Sequence, residues 1–232
     1  MGVGVTAPAG CPADRNRTQA IGRGVRHILD CTVHNVYGCR VARPKEFDRD
    51  RVVEKALDVF WSRGYASASL DDLTGAMGLG RGSLYNEFGD KHALFLAALD
   101  RYRAARVATV IEILDGAPSA RAGIAAVLRG TVNAMFVDES RRGCLMVNSI
   151  AELASRDPAV AARARDSFER TAAAFQAALE RGKRSGELNQ DLDVGRMSRY
   201  LANTINSIRL LAKMSERSVA DDVVEVTLTA LD

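Results

Sequence analysis

Histidine is scarce in this chain of 232 residues: there are three, and only His92 lies beyond residue 42. No pair of histidines at helical spacing and no nucleophile motif accompanies it, so no enzymatic activity, cofactor or helix-borne metal site is expected. No apolar run approaches the ~18 residues that span a bilayer. The first thirty residues also lack the continuous apolar stretch of a secretory signal, which argues against membrane anchoring and export. Cysteine is limited to four residues, and without an export signal these read as free thiols in a reducing cytoplasm. No segment alternates at strand period over a useful length, and there is no internal repeat. Against these absences stand 47% hydrophobic and 26% charged residues, enough apolar material for a real core and too much for a wholly disordered chain.

The net charge of +3 is unevenly placed. Residues 1–42 carry five arginines against Asp14 and Asp30, which accounts for all of it. This stretch has no sustained helical periodicity and holds three of the four cysteines. It reads as an extension, either disordered or upstream of the true start, since Val41 can be encoded by the alternative bacterial start codon GTG. Cys31, His34 and Cys39 imitate a metal site, but three ligands in an unpatterned segment predict no metal.

From Phe47 onward the pattern is helical. Val52, Val53, Ala56, Leu57, Val59, Phe60 and Trp61 recur at spacings of three and four, and Gly64 is expected to stop that helix. Ser69 with Asp72 three residues on makes a capping box for a second helix lined by Leu70, Leu73 and Met77. Gly78-Leu79-Gly80 breaks it, and residues 81–88 form a short third helix with Leu84 and Phe88 inward. Asp90 caps a long helix, expected over 91–114. Further helices are expected over 119–137, 146–154, 158–184 (Asp157 capping and Pro158 at its first position), 193–213 and 219–231. A second capping box, Ser218 with Asp221, opens the last. The fold class is therefore all-α.

Three helices in about forty residues, the second and third joined by a glycine-bearing turn, make a helix-turn-helix. The third helix presents Arg81, Gly82, Ser83, Tyr85 and Asn86 on its outer side. Small residues at its start let the backbone approach a groove, Arg pairs with guanine edges and Asn with adenine, and hydroxyls reach phosphates. Lys91 is placed to hold a phosphate. Residues 43–103 are electrically neutral, which argues against a strongly basic footprint unless acids such as Asp71 and Asp72 lie away from a groove that Arg43, Lys45, Arg81 and Lys91 face. Gly78, Gly80 and Gly82 suggest a phosphate-cradling loop, but no strand precedes them and nucleotide binding is not expected.

The stretches 56–65, 69–74 and 77–91, ending in Met77-Gly78-Leu79-Gly80-Arg81-Gly82-Ser83-Leu84-Tyr85-Asn86-Glu87-Phe88-Gly89-Asp90-Lys91, resemble the TetR/AcrR family of bacterial transcriptional regulators. The resemblance is close over residues 46–100. It implies a DNA-binding head, residues 43–92, followed by a helical ligand-binding and dimerisation domain, residues 93–232. It also implies a homodimeric cytoplasmic repressor, released from a palindromic double-stranded operator by a small-molecule inducer. Carried over by position, Ser69, Arg81, Gly82, Ser83, Tyr85, Asn86 and Lys91 would touch DNA. The family often has a ring after the tyrosine, whereas Asn86-Glu87 stands here, and this leaves the operator sequence open. The competing reading is a helical small-molecule sensor that no longer binds DNA.

The last two helices, about 193–213 and 219–231, carry apolar outer positions suited to a two-fold four-helix contact. Cys144, Asn148 and Glu152, spaced by four, form a polar stripe in an apolar setting. The stripe lines a ligand pocket together with Phe136 and Phe175, or else Asn148 and Glu152 bridge neighbouring helices. Cys144 is a small buried hydrophobe, or a thiol sensor activated by Arg141 or Arg142.

Overall fold

A computed structural model of the chain describes Met1 and residues 48–137 and 142–231. The remainder of the expected extension, with Cys31, His34 and Cys39, lies outside the described residues, as do Arg43, Lys45 and Arg141. Among the described residues there are nine α-helices and no strand, as the periodicity requires. None of these helices is long and apolar enough to cross a membrane.

Helix α1 (Arg49–Ser67) starts where the Asp48 carboxylate accepts the amides of Asp50 and Arg51. It buries Val52, Val53, Ala56, Leu57 and Phe60. Gly64 does not end the helix as the sequence suggests; it kinks it, at φ 77° and ψ 172°, and a last turn runs on to Ser67. The kink strips the Tyr65 and Ala66 amides of their helical acceptors, and Glu152 supplies the replacement at 3.1 and 2.7 Å. A carboxylate from a distant helix therefore caps the restarted turn.

Helix α2 (Leu70–Met77) carries the full Ser69–Asp72 capping box. Gly78, at φ 69°, ends it in the left-handed region that favours glycine. Half-buried Leu79 packs on the core beneath the turn, and α3 (Arg81–Phe88) turns Leu84 and Phe88 inward. Asp90 then caps α4 (Lys91–Gly116) through the Ala93 amide, 2.7 Å away.

The first half of α4 closes a core with α1 to α3, in which the Phe60, Tyr65 and Phe95 rings pack with centroids 4.8 to 6.2 Å apart. Helix α6 (Leu145–Leu153) joins that same core through Leu145, Met146 and Leu153, with Cys144 just before it. The second half of α4 belongs to another core, built with α5 (Ala120–Val137), α7 (Pro158–Arg184), α8 (Val194–Leu211) and α9 (Arg217–Thr229). Phe175, Ile124, Leu128, Leu179 and Leu201 are fully buried there.

The start of α9 differs from expectation, and that of α5 carries a cap from a distant residue. Ser119 Oγ accepts the Ala122 amide at the start of α5, but Glu187 adds a second cap by accepting the amides of Ala120 and Arg121 at 2.8 and 2.9 Å. The expected Ser218–Asp221 box is absent: α9 begins at Arg217, with no side-chain cap. Ser218 already lies inside the first turn, and Asp221 is engaged by Arg217 at 3.3 Å, one turn earlier.

Candidate nucleic-acid interface

Helix α3 has only two turns, and its core side is fixed by Leu84 and Phe88. The helical period puts Gly82 and Asn86 on the opposite side and Tyr85 on the flank, while Arg81, in line with Leu84 and Phe88, sits at the open start of the helix. Arg81, Gly82, Tyr85 and Asn86 are all exposed, Tyr85 by 46%, while Ser83 is half-buried at the margin. A Cβ built on Gly82 would meet nothing within 4 Å, so no contact inside the chain demands glycine there. Glycine costs a helix about 1 kcal/mol relative to alanine.

The acids of this region are nearly all engaged. Asp71 does not lie away from the reading face as expected; its carboxylate holds Arg81 at 2.7 Å. The two side chains are 60% and 77% exposed, so water screens the pair and Arg81 can exchange it for a base edge. Hydrogen bonding to Asp71 nonetheless raises the Arg81 pKa further, and the guanidinium stays charged. Asp72 is tied to Ser69 and, at 3.0 Å, to Arg63. The Ser69 hydroxyl and amide, with Arg63, hold the Asp72 carboxyl below its ordinary value. Glu87 pairs with Arg49 at 3.0 Å.

Ser69 is exposed, but its hydroxyl donates to Asp72 at 2.7 Å and accepts the Asp72 amide at 3.1 Å. Lys91 is half-buried, with Nζ 4.6 Å above the Tyr65 ring. That stacking restrains the side chain and leaves its ammonium charge without a carboxylate partner among the described residues.

The C-terminal candidates fare differently. Cys144 is fully buried, and its sulfur accepts the Tyr102 hydroxyl at 3.4 Å. Burial pushes the Tyr102 phenol far up. Asn148 donates to the Arg142 carbonyl and accepts from Lys213 Nζ at 3.0 Å, and both Glu152 oxygens go to α1. For Asn148 and Glu152 the geometry is that of helix bridges, not of a pocket wall. Phe175 fills the second core, with Phe136 half-buried against it.

Sequence reasoning missed the aromatic cluster that joins α6 to the first helices. The Trp61 indole N–H donates to the Gly143 carbonyl at 2.9 Å. The Arg142 guanidinium lies 4.4 Å over the indole, and Arg106 lies 5.2 Å from the Tyr102 ring. It also missed His92, which sits 2.7 Å from Asp157 at the start of α7.

Residues 52–98 match the family model described as bacterial regulatory proteins, tetR family. Residues 118–227 match a tetracyclin repressor-like C-terminal domain. The chain is 34% identical to YezE, an uncharacterized HTH-type transcriptional regulator of Bacillus subtilis (strain 168), over 83% of this chain and all of that one. It is 32% identical to the HTH-type transcriptional repressor ComR of Escherichia coli (strain K12), over 74% of this chain and 82% of ComR. Among solved structures, a cysteine mutant of the TetR family regulator CifR, complexed with 26-bp double-strand operator DNA, is similar with TM-score 0.71 and 37% identity. That match covers 82% of this chain and all of CifR.

Proposed function

The chain belongs to the TetR family of bacterial regulatory proteins, and from that membership we propose that it is a homodimeric, cytoplasmic transcriptional repressor. Its head, residues 43–92, docks α3 in the major groove of a palindromic operator. A small molecule taken up among the helices of residues 93–232 releases it. The observation that carries this reading is the outer face of α3: Arg81, Tyr85 and Asn86 are exposed, and the space over Gly82 is open. Arg81 and Asn86 read base edges, while Tyr85, Ser83, Ser69 and Lys91 hold phosphates and set the register.

Dimerisation through α8 and α9 is supported by the apolar side chains they leave in water. Tyr200, Leu210, Val219 and Val226 are all exposed, Val226 by 66%. A two-fold contact there sets the spacing of two recognition helices along the duplex.

The test is fluorescence anisotropy of the full chain on DNA from upstream of its own gene, against scrambled DNA at the same salt. Wild type binds the upstream fragment preferentially, and Arg81→Ala loses about ten-fold or more of that affinity while the dimer persists. Equal affinity for both DNAs in wild type refutes the proposal.

A further inference from the structure

We infer that the cavity between α4, α5 and α8 takes a small organic carboxylate, its apolar body among the side chains and its charge on Arg106 and Arg209. The inference rests on the reading of residues 93–232 as the ligand-sensing part of a repressor. The cavity measures about 120 Å³, and Val110, Ile113, Val127 and Met135 supply its apolar lining. Arg106 and Arg209 border the same space.

Both guanidinia are half-buried, and among the described residues no carboxylate pairs with either. Other half-buried arginines of this part of the chain do hold carboxylates. Arg103 binds Asp100 and Asp166, Arg163 binds Asp100 at 3.0 Å, and Arg181 binds Asp115 at 3.2 Å. Partial burial without an anion is costly to a cation. Arg106 offsets part of that cost against the faces of Tyr102 and Trp61, with centroids 5.2 and 5.9 Å away. Among the described residues Arg209 has no such ring.

Both cations also act on the buried Tyr102 phenol, each favouring its ionised form against the larger effect of burial. Arg209 further borders a second space of about 240 Å³ between α6, α7 and α8, among Met146, Ile150, Phe168 and Ile205. One cation thus serves two apolar spaces. A guanidinium fork matches a carboxylate in two parallel hydrogen bonds, and apolar walls around a charged end select an anion with an apolar body.

Arg106 also gives the site a reporter. Its guanidinium lies against Trp61, the only tryptophan in the chain. An anion that draws on Arg106 changes the surroundings of that indole, and emission follows.

The experiment titrates straight-chain acids from butyrate to decanoate, each paired with its primary amide, into the full chain by calorimetry, with Trp61 emission recorded in parallel. The best acid is expected to bind about ten-fold or more tightly than its amide and to shift Trp61 emission. Arg209→Gln and Arg106→Gln are each expected to bring acid and amide close to equal affinity, whereas Arg209→Lys retains part of the preference. Circular dichroism melts establish that each variant is folded. Failure of every acid to bind overturns the inference, as does equal binding of acid and amide in wild type or a full preference in both glutamine variants. The anisotropy assay without acid is independent of all this. A chain that binds the upstream DNA but fails the acid test loses only this inference. One that prefers acids yet treats both DNAs alike loses the repressor reading instead.

Discussion

Replacing Glu152 with alanine removes in one step the two hydrogen bonds that cap the turn after the α1 kink. The carboxylate accepts the Tyr65 amide at 3.1 Å and the Ala66 amide at 2.7 Å. A hydrogen bond to a charged group contributes about 1.5–3 kcal/mol, so a fully buried pair would contribute roughly twice that. Ala66 is exposed and Glu152 only half-buried, so water restores part of the loss, and about 2–3 kcal/mol is the expected cost. At 2–4 °C per kcal/mol for a chain of this size, the melting midpoint falls by roughly 5–10 °C. Glu152→Gln, which keeps one acceptor but turns an NH2 toward the second amide, is expected to lose nearly as much. Gly64→Ala attacks the same device from the other side. Its backbone sits at φ 77°, and a new Cβ would stand 3.0 Å from Glu152 Oε2, so it is destabilised by about 1–3 kcal/mol. Urea unfolding of the three variants, with operator anisotropy measured beside it, is the assay. A Glu152→Ala protein within about 0.5 kcal/mol of wild type would refute the reasoning, because a surface residue without a capping role falls in that range.

Two further predictions concern the capping carboxylates Glu187 and Asp157 and the exposed apolar face of α8 and α9. Burial pushes the Glu187 carboxyl up, but the Ser119 hydroxyl and the amides of Arg121 and Ala120 more than offset this, leaving it below its ordinary 4.5. Burial likewise works against Asp157, yet His92 and the amides of Val160 and Ala159 hold it below 3.8. Carboxyls depressed on folding contribute stability that is complete above their unfolded values and is lost as pH falls through the folded ones. Urea midpoints should therefore decline below about pH 4.5, less steeply in Glu187→Gln; an identical slope in that variant removes Glu187 from the explanation. For the dimer, Leu210→Glu combined with Val226→Glu places charges where the proposed interface would bury them, and size-exclusion chromatography with light scattering should report folded monomers. A dimer of undiminished affinity in the double variant would move the interface away from α8 and α9.

Much of the fold was legible because its signals are local. Ser69 with Asp72, Asp90 before α4, and Asp157-Pro158 before α7 each place a cap within three residues of the amides it serves. The buried side of α3 was legible for the same reason: Leu84 and Phe88 fix it, and the period sets Gly82 and Asn86 opposite. Long-range caps were not. Glu152 serves amides 86 and 87 residues away, and Glu187 serves amides 66 and 67 away. Sequence spacing holds no trace of either, so Glu152 was read as part of a polar stripe with a pocket as one destination. The pattern at 218–221 misled for a related reason, since a capping box depends on where the helix begins and Arg217 starts it early. Arg209 was invisible because the lack of a carboxylate beside it among the described residues is a matter of packing, which sequence spacing does not disclose.

The long-range contacts share a direction. Trp61 holds the Gly143 carbonyl, the Tyr65 and Ala66 amides hold Glu152, and His92 holds Asp157. Residues 143–157 thus grip the first core before α6, near its end, and at the start of α7, spanning the α1 kink and the beginning of α4. These bonds are short and directional, and they sit on helices already packed together, so the segment and the first core move together more readily than they slide past each other. Met146 and Ile150, on that same segment, face the space that Arg209 borders. Whatever enters beside Arg209 therefore meets a segment bonded to both ends of the turn on which Tyr65 supports Lys91. Residues 43–92 carry eight basic and nine acidic side chains, and Asp71, Asp72 and Glu87 are engaged by Arg81, Arg63 and Arg49, so the proposed DNA contact depends on the placement of the cations and not on their sum.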